Sequence, residues 1–171
     1  MTEQLIVDTT ELKAFIAKFK QLDTNIPNGA LRRAGHEIGK EYVKLLLKPT
    51  ASWEHKPNIK HLVRVSQQGV IVLVTVNDAA YVWVTLGTRP HRIEPKRAQR
   101  LAFQSGYTAK TTPGSLAASS GGKFGPVVYS MGVFHPGVKA RDFHVVAFEE
   151  IREFALRVII EELKKELAKL T

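Results

Sequence analysis

The sequence predicts an α+β fold with N-terminal helices, a small antiparallel β-sheet and a long C-terminal helix packed on the sheet. The prediction rests on helical spacing of apolar residues in two early segments and on β-branched runs around a turn at residues 67–69. It rests also on a long apolar stripe after residue 142. A chain of 171 residues is expected to form a single domain, 1–171, around one core.

The N-terminal third is predicted to contain an arm and two helices. Residues 1–8 form the arm, and apolar side chains at steps of three and four predict helices over about 9–22 and 27–47. The second helix contains Gly35 and Gly39. Because glycine costs a helix about 1 kcal/mol relative to alanine, the pair indicates close packing of another backbone there.

The middle of the chain has strand character. Gln67–Gly69 is predicted as a hairpin turn, and His135–Val138 fits a type II turn with Pro136 and Gly137 at its centre. Five short segments are predicted as strands: 61–65, 70–76, 91–93, 101–103 and 127–134.

The last third of the chain contains a predicted loop and a predicted long helix. Residues 105–126 are rich in Gly, Ser, Thr and Pro and are predicted to be a flexible insertion loop. Residues 142–170 carry a continuous apolar stripe and predict a helix roughly 40 Å long.

Composition limits the classes of function. The chain has no cysteine, which removes disulfides, thiol nucleophiles and thiolate metal sites. It shows no signal peptide and no apolar run of about 18 residues, so a cytoplasmic product that is neither secreted nor membrane-spanning is expected. The net charge of +9 either serves solubility or indicates an anionic partner such as DNA or an acidic protein surface.

Catalytic and metal-binding patterns are not recognised in the sequence. The six histidines lack ligand spacing and are interpreted as turn and interface residues, although His91 and His135 would meet if their segments pair as strands. The acidic pairs Glu149–Glu150 and Glu161–Glu162 are interpreted as a solvated helix face. We therefore predict no catalytic residue, metal ligand or cofactor, and a hydrolase remains the hypothesis with the least support.

A basic segment follows residue 87 and has two interpretations. It is either a solvated turn or a contact to DNA phosphates or to an acidic partner surface. Five basic residues lie in it against the single acid Glu94: Arg89, Arg92, Lys96, Arg97 and Arg100.

Residues 79–86 are ambiguous between a helical turn and a strand. In a strand, Tyr81 and Trp83 would share one face. That face would either be buried in the core or meet another subunit, since Tyr and Trp are enriched at interfaces.

Two motifs occur in an unusual order and spacing. The run from Tyr81 to Leu86 ends in Gly87–Thr88–Arg89–Pro90–His91, and about forty residues later His135–Pro136–Gly137 leads into Phe143. Over roughly residues 25–165 this arrangement resembles the neck family of bacteriophage tail-completion (head–tail joining) proteins, the gene-ten-like morphogenesis proteins of long-tailed phages.

The resemblance implies a structural virion protein of phage or prophage origin, not an enzyme. Family members form rings, commonly hexamers, between the head connector and the tail tube, and the genome passes through the bore. The implied partners are further copies of the chain, a connector or head-completion protein, a tail-tube or tail-terminator protein, and non-specifically bound DNA. The alternative is a basic nucleic-acid-binding domain.

The chain departs from the family pattern at two positions. The family often has an acid where this chain has Thr85, and a proline where it has Asp142. Ten residues of the two motifs are expected to shape the interface: Tyr81, Trp83, Gly87, Thr88, Arg89, His91, His135, Pro136, Gly137 and Phe143.

Overall fold

A computed structural model describes residues 2–5, 25–66 and 69–168. The helix predicted over 9–22 lies outside the described residues. The elements in chain order are β1 (Thr2–Leu5), α1 (Asn25–Leu47), a 3₁₀ turn (Lys48–Thr50), β2 (Ile59–Ser66), β3 (Gly69–Val76), α2 (Ala79–Leu86), β4 (His91–Ile93), β5 (Leu101–Thr108), β6 (Gly122–Ser130), β7 (Val133–His135) and α3 (Phe143–Leu167).

The α+β class and the long C-terminal helix are confirmed. The strands of the described residues form three separate antiparallel sheets of three, two and two strands instead of one small sheet. The chain divides into two compact units. Unit 1 comprises Met1–Leu45, Asn58–Asn77 and Ala147–Thr171, and unit 2 comprises Leu46–Pro57 and Asp78–Val146.

Unit 1 contains the three-stranded sheet in the order β1-β3-β2. The predicted hairpin is confirmed, because β2 pairs with β3 in an unbroken register from Ile59↔Val76 to Ser66↔Gly69. Part of the predicted arm is a strand, since Thr2–Leu5 pairs with the other edge of β3. Alternate residues of β3 are buried, as expected for a sheet with one face covered: Val70, Val72 and Val74.

Helix α1 packs closely on this sheet at two of its three glycines, Gly35 and Gly39. A Cβ atom on Gly35 would lie 2.6 Å from Cγ1 of Val63 and 2.7 Å from Cγ2 of Val70. A Cβ atom on Gly39 would lie 2.5 Å from Cδ2 of His61. The glycines therefore make room for side chains of the sheet, and the expectation that they admit another backbone is wrong.

An ion-pair cluster joins α1 to α3 within unit 1. The guanidinium of Arg33 donates to Glu162 at 2.7 Å and also to Glu166, and Lys165 donates to Glu162 at 2.6 Å. The hydrogen bond from Lys165, and then that from Arg33, lowers the pKa of Glu162. The prediction of a solvated acidic face is wrong at Glu162, which is buried and held ionised.

Unit 2 contains α2 and the two-stranded sheets β4–β7 and β5–β6. Residues 79–86 are helical, which resolves the ambiguity of that segment. The prediction of an insertion loop over 105–126 is wrong at both ends, because 105–108 belong to β5 and 122–126 to β6. Residues 109–121 connect these strands and contain a bridge between Thr111 and Ala118.

We predict that Gly35→Ala and Gly39→Ala destabilise unit 1. The added methyl group meets Val63 and Val70 in Gly35→Ala and the His61 ring in Gly39→Ala. Overpacking of this kind costs about 1–3 kcal/mol, which exceeds the gain of about 1 kcal/mol in helix propensity. Urea unfolding followed by far-UV circular dichroism measures the change.

Gly29→Ala is the matched control in the same helix. Its Cβ would meet only Nη1 of Arg33 at 3.6 Å, so this variant is expected to be as stable as the wild type or more stable. Equal unfolding midpoints for all three variants would contradict close packing at the glycines.

Candidate assembly surface

Helix α2 begins at Asp78, whose carboxylate caps its first turn. One carboxylate oxygen accepts a hydrogen bond from the backbone N–H of Tyr81 at 2.8 Å, and the other lies 2.7 Å from Nε2 of His55. The N–H of Tyr81 lowers the pKa of Asp78 most, and His55 lowers it further. The Asp78 carboxylate therefore stays ionised and fixes where α2 starts.

The helical conformation separates Tyr81 from Trp83. Tyr81 is buried, its hydroxyl donates to the carbonyl of Leu46 at 3.2 Å, and its ring centroid lies 5.7 Å from that of Phe143. Trp83 is 59% exposed, and Leu86, one turn later, is also exposed. The strand alternative, in which Tyr81 and Trp83 share one face, is therefore wrong. Tyr81 and Phe143 belong to the core of unit 2, whereas Trp83 lies on its surface.

The end of α2 anchors the start of α3 through one carbonyl group. The carbonyl oxygen of Thr85 accepts hydrogen bonds from the backbone N–H groups of Arg141 and Asp142, both at 3.0 Å. The side-chain hydroxyl of Thr85 is buried and has no hydrogen-bond partner among the described residues. This is the position at which the resembling family often carries an acid.

The two sequence motifs meet in one antiparallel backbone pairing, which we call the motif ladder (Thr88–Ile93 with Val133–Val138). Thr88 N–H donates to the carbonyl of Val138 at 2.9 Å, and Val138 N–H donates to the carbonyl of Thr88 at 3.1 Å. The same register continues from His91↔His135 to Ile93↔Val133. In this register Pro90 stands opposite Pro136, and neither proline has an N–H to donate.

Gly87 and Gly137 make the motif ladder possible. Their φ angles of 77° and 88° lie in the left-handed region, which favours glycine. A Cβ atom on Gly87 would lie 2.5 Å from the carbonyl oxygen of Val138, and one on Gly137 would collide with the carbonyl oxygen of Thr88. The two corners therefore require glycine both for their conformation and for the close approach of backbone.

His91 and His135 come together as the sequence suggested, with ring centroids 5.1 Å apart. Each imidazole ring also forms a hydrogen bond to the backbone two residues away. Nδ1 of His91 donates to the carbonyl of Arg89 at 2.9 Å, and Nδ1 of His135 accepts from Gly137 N–H at 3.0 Å. A second pair, His36 and His61, lies in unit 1 with 3.4 Å between ring nitrogens. Within 2–5, 25–66 and 69–168, no three acidic or histidine side chains are grouped to hold a metal ion.

Asp142 starts α3 with a φ angle of 51°, in the left-handed region. Its carbonyl accepts hydrogen bonds from Val145 N–H at 3.0 Å and Val146 N–H at 3.2 Å. Aspartate is one of the few non-glycine residues that tolerates this conformation, whereas proline is fixed near −65°. The proline that the resembling family often has here does not fit the backbone of this chain.

The five basic side chains of the segment are all exposed. Arg92 pairs with Glu94 at 3.1 Å, but both side chains are largely exposed, so this pair contributes little to stability. The other members of the segment also lie on the surface of unit 2, where an anion can reach them: Arg89, Lys96, Arg97 and Arg100.

The β5–β6 ribbon (Leu101–Thr108 paired with Gly122–Ser130) extends the strands predicted over 101–103 and 127–134, and its pairing was not predicted. The prediction of one strand over 127–134 is wrong, because β6 ends at Ser130 and β7 begins at Val133. Its pairing is interrupted by a register shift at Gln104–Gly106, where the ring of Phe124 lies over Gly106. Large apolar side chains are exposed on both faces, with Tyr129 at 66%. Alternating Val, Tyr and Phe near the segment ends was the available signal: Phe103, Tyr107, Phe124, Val127 and Tyr129.

Within the described ranges, no helix combines the length and apolar character needed to cross a lipid bilayer. Comparison with known proteins finds no matching family model, curated protein or solved structure.

We predict that Gly87→Ala and Gly137→Ala destabilise unit 2 by about 2–5 kcal/mol, since left-handed strain of about 1–2 kcal/mol adds to an overpacking cost of about 1–3 kcal/mol. Both tryptophans, Trp53 and Trp83, lie in unit 2. Urea unfolding followed by tryptophan fluorescence therefore reports on this unit.

Gly114→Ala is the control for strain alone. Gly114 also lies in unit 2 with a φ angle of 69°, but nothing lies within 4 Å of the position of its Cβ. This variant is expected to lose about 1–2 kcal/mol. Equal losses of unfolding free energy at all three positions would show that the close backbone approach in the motif ladder does not contribute to the effect of the substitutions.

Proposed function

We propose that the protein is a structural component of the neck of a long-tailed phage or prophage, which completes the tail and joins it to the head connector. In this role copies of the chain form a ring, a hexamer by resemblance, through which DNA passes. The head connector or head-completion protein and the tail-tube or tail-terminator protein are the other partners. The protein is then found in the virion and performs no catalysis.

The observation that carries the proposal is the uneven distribution of apolar side chains between the two units. Among the described residues, unit 2 contributes four non-proline side chains to the buried apolar core, namely Leu46, Tyr81, Leu116 and Phe143, and unit 1 contributes the rest. The exposed large apolar side chains show the opposite pattern. All but three of them lie in unit 2, the exceptions being Leu62, Leu156 and Ile160.

A two-stranded ribbon with apolar side chains on both faces is marginally stable in water. Contiguous exposed apolar surface of this kind marks a site of protein–protein contact. Unit 2 carries two such ribbons, β5–β6 and β4–β7, and Phe134 of the second is 70% exposed. Burial against neighbouring subunits supplies the apolar contacts that these ribbons lack within one chain.

The motif ladder supports a structural role in a second way. Polar groups of the motif residues form hydrogen bonds within the motif ladder, as between Thr88 and Val138 and between His135 and Gly137. These bonds position the backbone at the two corners. Such use of a motif is expected for a scaffold that presents a surface.

We predict that the purified chain self-associates through unit 2. Size-exclusion chromatography with light scattering at several concentrations is expected to show a mass that rises from 19.1 kDa toward about six times that value. The double variant Val127→Ser/Tyr129→Ser removes exposed apolar contact area, and its association is expected to weaken by at least tenfold.

Leu62→Ser is the matched control, because Leu62 is an exposed apolar residue of unit 1. It is expected to associate like the wild type. A wild-type mass of one chain at every concentration, or a double variant that assembles normally, would contradict the proposal.

The exposure of the whole basic segment favours a second candidate, a nucleic-acid-binding domain. Cations that reach phosphates release counterions, so binding weakens steeply with salt. If this role is the correct one, the wild type binds duplex DNA at 50 mM salt. The triple variant Arg89→Ala/Arg92→Ala/Arg97→Ala is expected to bind at least tenfold more weakly, and its affinity is expected to depend less steeply on salt.

The control for that experiment replaces three exposed basic residues of unit 1 with alanine: Lys60, Arg64 and Lys164. Fluorescence anisotropy with labelled DNA at several salt concentrations measures both variants. Equal losses for the two triple variants would indicate general attraction by net charge, and absence of wild-type binding would exclude this candidate.

A further inference from the structure

A pair of histidines lies where helix α1 meets the three-stranded sheet of unit 1. His36 belongs to α1 and His61 to β2, and the distance from Nδ1 of His36 to Nε2 of His61 is 3.4 Å. The rings meet edge to face, with centroids 5.6 Å apart and planes inclined by 70°. A hydrogen bond between two imidazole nitrogens needs a hydrogen on one and a lone pair on the other, so at least one ring must be neutral.

The His61 ring fills space that Gly39 leaves open on α1. A Cβ atom on Gly39 would lie 2.5 Å from Cδ2 and 2.8 Å from Cγ of His61. Gly39 is buried and His61 is half-buried, so the ring is packed against the helix at this point. More water can therefore surround the His61 ring only if α1 moves away from β2.

The charges that act on His61 are positive. Burial lowers the pKa of His61 most, and His36 and Lys40 lower it further. Lys40 follows His36 by four residues and therefore lies on the same side of α1. Folded His61 is thus neutral at pH 7 and takes up a proton less readily than the same residue in the unfolded chain.

The elements around this pair provide no adjacent acid among the described residues. Val74 stands opposite His61 on β3, and Glu3 of β1 stands opposite Val74, two strands or roughly 10 Å from His61. At that distance an acid does not replace the hydrogen bond to His36. The acids of α3 that reach α1 are already bound by Arg33.

We propose that His36 and His61 form an acid-sensitive joint between α1 and the sheet of unit 1. When both rings are protonated, each of the two facing nitrogens carries a hydrogen, so the bond between them is lost and like charges face each other beside Lys40. The repulsion is relieved when α1 moves away from β2. This joint belongs to unit 1 and does not depend on the proposed ring.

The unfolded chain sets the direction of the pH dependence. There His61 has its ordinary pKa of 6.5, whereas the folded chain holds it lower, so below that pH the unfolded state binds more protons. The contribution of neutral His61 to stability is complete above about pH 6.5. It is lost as the pH falls below that value toward the lowered pKa of His61, and unit 1 is expected to loosen in mild acid.

Proton NMR of the full chain measures the titration of the His61 ring, which His61→Gln assigns. The midpoint is expected below 6.5 in the wild type and closer to 6.5 in Lys40→Gln, because that substitution removes a charge that opposes protonation. Lys44→Gln is the matched control, since it removes the same charge one turn further along α1, where Lys44 pairs with Glu41. Its effect is expected to be smaller.

Two results of this titration would overturn the joint. A wild-type midpoint at or above 6.5 would show that the folded chain does not oppose the protonation of His61. Equal effects of Lys40→Gln and Lys44→Gln would show that only the net charge of the chain acts on the ring.

Urea unfolding at pH 7.5 and pH 5.0, followed by far-UV circular dichroism, tests the coupling to packing. The unfolding equilibrium constant of the wild type is expected to rise about threefold more than that of His61→Gln over this range, because glutamine binds no proton. Lys40→Gln leaves both rings in place and is expected to show a weaker pH dependence than the wild type, so it serves even where His61→Gln folds poorly. A pH dependence equal to that of the wild type in both variants would reject the joint.

Hydrogen exchange followed by mass spectrometry locates the loosening. Relative to their intrinsic rates, the amides of α1 and β2 are expected to exchange faster at pH 5.0 than at pH 7.5 in the wild type, and this difference is expected to shrink in His61→Gln. Equal protection of α1 and β2 at the two pH values would contradict the proposal.

Discussion

The backbone pairing of Thr88 with Val138 is the constraint on which unit 2 depends. It fixes the register in which β4 meets β7, and it requires glycine on both sides, at Gly87 and Gly137. Three residues before Thr88, the carbonyl of Thr85 holds the N-terminus of α3. A change at either glycine would therefore disturb the small sheet and the start of the last helix together.

Elements with local periodicity were predictable from the sequence. The span of α1, the β2–β3 hairpin and the body of α3 follow from apolar spacing and from turn residues near Gly69, which act between neighbours in the chain. The sequence predicts that His91 meets His135 if their segments pair as strands, and β4 and β7 do pair. The motif ladder extended that pairing to Thr88 and Val138.

Features that depend on distant partners were not predictable. Glu162 looked solvated because Arg33, which binds it, lies 129 residues away in the sequence. The extent and pairing of the β5–β6 ribbon were not predictable, because Gly and Ser dominate the segment between its strands and a strand gains its stability from pairing. Helix α2 did have a local signal in its N-cap Asp78, which favours the helical alternative for the ambiguous residues 79–86.

The two units differ in how far each buries its own apolar side chains, and this difference links the fold to the proposed assembly. Unit 1 buries one face of its sheet under α1 and compensates its buried carboxylates with Arg33 and Lys165. Unit 2 satisfies its backbone in the motif ladder but leaves apolar surface such as Tyr129 exposed. Backbone order without apolar burial gives a ribbon of defined shape that lacks the hydrophobic contribution to stability. In the proposed ring a neighbouring copy would cover the ribbon and supply that contribution, so the free energy of assembly and the stability of unit 2 are expected to rise and fall together.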